Sequence, residues 1–174
     1  MCCGPCAVFP VRMLQEQGFE VTGLFYNPNV HPLREYLQRR EAAAQVGERL
    51  GFKIIFKDDE YDPGEYLRRV VFREASRCFL CYQMRLERTA VLGRRGRFDH
   101  FTTTLLYSKH QKHDLIARTA REVAGGGRPA FYYSDFRQGW KEGIERSRQW
   151  GIYRQQYCGC IYSEAERYRK ELDK

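Results

Sequence analysis

Apolar positions first recur at helical spacing: Val8, Val11 and Leu14 share one face of a segment that Pro5 can open and that stops near Gly18, with Pro10 its discordant residue. "EVTGLFY", Glu20 to Tyr26, is a β-rich run ended by N-P-N, and "HPLREYLQRREAAAQVGERLG" is a long amphipathic helix closed by Gly51. "FKIIF", Phe52 to Phe56, predicts the next strand, and about Gly64 to Leu92 reads as helical around a C-x-x-C. "HFTTTLL", His100 to Leu106, predicts another strand, followed by a helix over Lys109 to Val123 and a short strand at "AFYYS", Ala130 to Ser134. Helical stretches at Trp140 to Gln149 and Ser163 to Lys170 complete the pattern, and only G-G-G at Gly125 to Gly127 marks a clear break. Strands alternating with helices predict an α/β sandwich, a mostly parallel sheet between helices, with ligands collecting at the carboxyl ends of the strands. Such a unit ordinarily begins with a buried strand feeding the first turn, yet here M-C-C starts at once, so the first strand is expected to be missing.

Composition narrows the class. With 174 residues, 43% hydrophobic and 30% charged, the chain suits one compact domain over residues 1–174. No apolar run approaches the roughly 20 residues of a bilayer-spanning helix, and no charged-then-apolar leader is legible. The expectation is therefore a cytoplasmic, reducing location, no membrane partner and no stable structural disulfides. A formal charge of +8 favours a polyanionic partner, nucleic acid first.

The seven cysteines fall in three groups: Cys2, Cys3 and Cys6; Cys78 and Cys81; Cys158 and Cys160. Short pairings in a chain without an export signal point to metal binding or thiol redox chemistry. Structural zinc, with its four tetrahedral ligands, is taken as the poorer fit. An iron-sulfur cluster accepts varied spacing, and Cys2, Cys3, Cys78 and Cys81 would supply four thiolates. C-G-C is a poor chelate for one tetrahedral ion, because its sulfurs are close and its glycine flexible, but it suits a readily reduced dithiol-disulfide couple; serving as two more metal ligands is the alternative. Cys6, in the first turn of the first helix, is expected to be partly thiolate, which suits a ligand to an additional iron as well as a nucleophile.

Six blocks in one order, "CCGPC" (Cys2 to Cys6), "FYNPNVHP" (Phe25 to Pro32), "RCFLCYQMRL" (Arg77 to Leu86), "FTTTLLYSKHQ" (Phe101 to Gln111), "FYYSDFRQGW" (Phe131 to Trp140) and "GIYRQQYCGCIYS" (Gly151 to Ser163), run through nearly the whole chain. Together they resemble the cobalamin-independent epoxyqueuosine reductases of the QueH type. The resemblance implies reduction of the epoxide of epoxyqueuosine at the tRNA wobble position to give queuosine. It implies a [4Fe-4S] cluster, an additional mononuclear iron, and a fold similar to the adenine nucleotide alpha hydrolase-like (HUP) and tRNA-thiolation enzymes. Carried over, Cys2, Cys3, Cys78 and Cys81 are the expected cluster ligands and Cys158 with Cys160 the redox-active pair; an iron held near Cys6 is a separate expectation from its own position in the first helix. The implied partners are the tRNA anticodon loop carrying epoxyqueuosine and an unidentified electron donor. The chain departs from the family at its start, where members carry a short apolar strand before the first cysteines.

Epoxide removal also requires protons, for which His31, Tyr133, Asp135 and, more weakly, His110 are candidates by type. The stretch Phe131 to Tyr157, with Trp140, Trp150, Tyr153, Arg137, Arg146, Arg148 and Arg154, could hold tRNA phosphates and stack on an extruded base; the alternative is a helix with core tryptophans and a solvated face. Two other functions compete. A tRNA-thiolation enzyme should carry an S-G-G-x-D-S type phosphate loop where "CCGPC" stands, and a zinc-bound RNA-binding module would be colourless.

Overall fold

The computed structural model describes residues 1–173. The helices are α1 (Pro5–Glu16), α2 (Leu33–Leu50), α3 (Pro63–Val70), α4 (Arg77–Arg95), α5 (His113–Ala124), α6 (Trp140–Gln149) and α7 (Ile161–Tyr168). The strands are β1 (Thr22–Phe25), β2 (Lys53–Phe56), β3 (His100–Phe101) and β4 (Ala130–Phe131). Pro5 opens α1 where an amide N–H has no intrahelical partner anyway, and Val8, Val11 and Leu14 are buried as their spacing predicts. Pro10 lies inside α1 and is itself buried, so packing against α2 and α6 outweighs the backbone hydrogen bond it removes. Gly51, with φ 65°, closes α2 in the left-handed conformation.

The strands pair in parallel as expected, but they do not form one sheet. β1 pairs with β2 from Thr22 opposite Lys53 to Phe25 opposite Phe56, and β3 pairs separately with β4, His100 opposite Ala130 and Phe101 opposite Phe131. The longer strand expected over His100 to Leu106 ends at Phe101. Thr104–Tyr107 form a buried 3₁₀ turn in which the Thr103 hydroxyl accepts the Leu105 N–H at 3.2 Å, a local bond that competes with sheet pairing. Asp135 caps the turn Phe136–Gly139 in the same way after β4.

A largely apolar cavity of about 190 Å³ separates the two strand pairs, lined by β1 and β3, by α1 through Val11 and Leu14, and by α4 through Leu86 and Leu92. Met1 lies at one end of it; its amino group donates to the Leu24 carbonyl, and the Asn27 side chain donates to the Met1 carbonyl at 3.0 Å. The largest buried cluster joins α1, α4 and α5 to the 3₁₀ turn and includes Cys3, Cys6, Leu86, Leu106, Ile116 and Phe136.

Candidate metal centre

The first cysteines sit where α1 begins, and Gly4 fixes that point. A methyl group there would lie 2.3 Å from the Ala42 carbonyl oxygen, so α1 and α2 touch backbone to backbone only because residue 4 has no side chain. Cys2, Cys3 and Cys6 flank this contact, and their three sulfurs lie within 4.8 Å of one another. Cys2 and Cys3 sulfurs are 3.7 Å apart. The Thr104 hydroxyl accepts the Cys2 N–H at 3.2 Å and points at the Cys2 sulfur from 3.5 Å, while the Gln155 amide donates to the Cys6 sulfur at 3.4 Å.

Three thiols this close favour one negative charge among them. The Cys3 and Cys6 thiols donate to Cys2 and hold its pKa well below the ordinary thiol value, against the effect of burial. Cys6 is pushed up, first because its hydrogen bond to Cys2 stabilises its protonated form, and Cys3 is pushed up mainly by burial. The expectation of a partly ionised Cys6 is thereby corrected: hydrogen bonding within the triad pushes its pKa up, against the helix dipole, and pushes that of Cys2 down.

Cys78 and Cys81 share one face of α4 at i, i+3, and Arg85 follows four residues after Cys81 on the same face. Cys81 is buried and desolvation lifts its thiol to about 12. The buried Arg85 guanidinium faces Cys81, with Cys2 and Cys158 also within its field. Cys78 and Cys81 are not part of the compact triad, but the Arg85 charge acts on thiols of both groups.

Cys158 is exposed and accepts from the Gln111 amide at 3.1 Å, whereas Cys160 is buried in a cluster with Tyr26, Tyr66 and Cys81. All seven cysteines are free thiols. Gly159 between the pair is not loose, contrary to the sequence expectation. Its N–H donates to the Ser163 hydroxyl at 3.1 Å and its carbonyl accepts the His31 N–H at 2.7 Å.

The triad fits a thiophilic metal: soft sulfur donors converge, the pKa of Cys2 is held below its ordinary value, and neighbouring cations offset negative charge. A family model described as epoxyqueuosine reductase QueH matches residues 1–166. The chain belongs to the QueH family. Relatives with that name include those of Dehalococcoides mccartyi, 36% identical over 97% of this chain and 92% of the relative, and Thermotoga maritima, 31% identical over 99% and 92%. The Haemophilus influenzae relative is 33% identical over 98% of this chain and 73% of its own length.

Of the four candidate proton donors in this QueH-family chain, the fold brings His31 to the C-G-C segment through its bond to Gly159. Its ring is buried against Tyr66, makes no ordinary hydrogen bond through either nitrogen, and is kept neutral by desolvation. Asp135 is engaged by Arg137, which holds its carboxyl down at about 2, so it is ionised at neutral pH. Tyr133 bonds His113 at 3.2 Å, and His110 is exposed and packs edge-on to Trp140. Trp140 stacks on Tyr107, and Trp150 packs in a buried cluster beneath Arg49, so both tryptophans serve mainly as core. Sequence reasoning missed Glu35, Arg39, Arg85, Thr104, Gln111 and Gln155; the last five polar side chains touch or face the cysteine segments, and Glu35 holds Arg39.

Proposed function

We propose that this chain reduces the epoxide of epoxyqueuosine at the wobble position of tRNA, giving queuosine, in the cytoplasm and with electrons from an outside donor. The convergence of three cysteine sulfurs within 4.8 Å in a QueH-family chain is the observation that carries the reading. Cys2 and Cys3, with Cys78 and Cys81 from α4, hold a [4Fe-4S] cluster, and Cys6 holds an additional mononuclear iron. Once bound, these groups supply electrons singly and a Lewis acid for the epoxide oxygen. We read the fold, two separate parallel strand pairs packed among helices, as of the adenine nucleotide alpha hydrolase-like kind.

The net reaction removes the epoxide oxygen as water and leaves an alkene, consuming two electrons and two protons. Cys158, exposed at the surface, meets the donor, and Cys160 completes the dithiol couple. His31, held toward its neutral form by desolvation, is our candidate to carry a proton toward the oxygen. Arg85 compensates negative charge between the two cysteine groups. Exposed Arg148 and half-buried Arg154 offer cations to tRNA phosphates.

Anaerobic reconstitution with iron and sulfide, followed by turnover of epoxyqueuosine-containing tRNA, tests the proposal. The expected outcome is a brown protein that forms queuosine, with Cys6→Ser retaining the visible absorption while losing turnover. A colourless protein that binds only zinc, or turnover undiminished in Cys6→Ser, would refute the respective assignment.

A further inference from the structure

We infer that Arg39 is a positioning residue for the Cys158–Gly159–Cys160 segment, and that its guanidinium favours the dithiol over the disulfide form of that pair. The inference rests on the redox-pair reading above. Arg39 is 1% exposed, on the inner face of α2. Its Nε donates to Glu35 Oε1 at 2.7 Å, one Nη to the Cys158 carbonyl at 2.8 Å and the other Nη to the Tyr157 carbonyl at 2.9 Å. Tyr153 donates its hydroxyl to the second Glu35 oxygen. The buried ion pair is therefore balanced in charge, and each Nη donates to one of two consecutive peptide carbonyls of the redox segment.

The fork also sets what can stand between the cysteines. At Gly159, with φ 138°, a Cβ would lie 3.0 Å from Arg39 Nη1 and 3.1 Å from Val30 Cγ2. The next peptide groups are fixed from other elements, by the His31 N–H and the Ser163 hydroxyl. So held, the segment presents the two sulfurs to different surroundings, Cys158 outward and Cys160 at 8% exposure inward. A disulfide would bring the outward and inward sulfurs to about 2.05 Å of one another, and on this inference the peptides around Gly159 turn to allow it. Turning them breaks bonds to Arg39, His31 or Ser163. Those bonds favour the open dithiol, the same logic by which a stabilised reduced form makes a disulfide strongly oxidising.

The test equilibrates the full-length protein anaerobically with glutathione buffers. Protein dithiol and oxidised glutathione give protein disulfide and two reduced glutathione molecules. One S–S bond forms as another breaks, and two electrons and two protons pass to glutathione. Alkylation and mass spectrometry then measure the Cys158–Cys160 ratio. Arg39→Lys keeps a cation beside Glu35 but cannot span two carbonyls. It is expected to raise the disulfide-to-dithiol ratio about tenfold, or about 30 mV toward more negative potential. Ser163→Ala should move the ratio the same way, and it carries the test if Arg39→Lys does not fold. Amide exchange at His31 and Gly159 is expected to accelerate in both variants.

A folded variant with a ratio within twofold of the parent overturns the inference. Should the pair form no disulfide in any protein at any glutathione ratio, the redox-pair reading fails, and with it the claim that Arg39 tunes that couple. Amide exchange then judges the positioning role: acceleration supports it, and unchanged exchange removes it.

Discussion

Replacing Gly4 by alanine tests whether the α1–α2 contact builds the metal centre. Gly4 has φ −60°, ordinary for any residue, so backbone strain plays no part and the whole effect comes from the added methyl. That methyl would stand 2.3 Å from the Ala42 oxygen and 2.6 Å from its carbonyl carbon. Carbon-to-oxygen contacts settle near about 3.3 Å, so the two backbones must part by about 1 Å. Neither neighbour is a flexible side-chain end that could swing aside. Overpacking of this kind costs about 1–3 kcal/mol, which at a urea slope of about 2 kcal/mol/M lowers the unfolding midpoint by roughly 0.5–1.5 M. The larger consequence is local. Cys3 and Cys6 flank Gly4, and metal-ligand distances tolerate only about 0.2 Å, so iron bound after anaerobic reconstitution should fall several-fold. Gly18→Ala is the control: it has φ 85° and nothing within 4 Å, so it should cost about 1 kcal/mol of stability and leave iron content intact. Wild-type iron content and an unmoved urea midpoint in Gly4→Ala would refute the reasoning.

Asp135→Asn should lower stability at pH 7 by less than about 1 kcal/mol, because the Arg137 partner is surface-exposed and screened. The Asp135 pKa is depressed on folding from 3.8 to about 2, so its contribution is full above the unfolded value and is lost as pH falls through about 2. Urea midpoints of parent and variant should therefore converge at the acid end, and a gap that widened on acidification would reverse the sign. Affinity for tRNA should fall roughly tenfold or more between about 50 and 200 mM salt if about three phosphates are contacted, and Arg148→Ala should reduce the logarithmic slope by about 0.7. A flat salt response would remove the basic surface from the binding site.

The helices were legible because their signals are local. The apolar face of α1, the Gly51 stop of α2 and the bounds of α6 follow from spacing and glycine conformation alone. The sheet was less legible because pairing is non-local and because threonine and aspartate side chains compete for the backbone after β3 and β4. "HFTTTLL" has the β-branched composition of a strand, yet the Thr103 hydroxyl turns the chain after two paired residues. Strand propensity gave the start of that element, and a single side-chain hydrogen bond decided where it stopped.

Cysteine clustering made the chemistry of the site readable, because few structures other than metal and redox sites gather so many thiols in a reducing setting. What composition could not convey is how charge is distributed among them. In isolation Cys6 belongs to a helix's first turn and reads as partly thiolate, but its closeness to Cys2 and Cys3 turns it into a donor, pushing its own pKa up and that of Cys2 down. Arg39 and Arg85 were invisible for the complementary reason. On the sequence they are two of many cations in amphipathic helices, and the expected fate of such a cation is a solvated face. Burial distinguishes them. A buried guanidinium persists only where anions or carbonyls repay its dehydration, so a cation facing thiols from the chain start, α4 and the C-G-C segment marks where negative charge must gather. The buried cations therefore join three cysteine groups, separate in sequence, into one electrostatic unit.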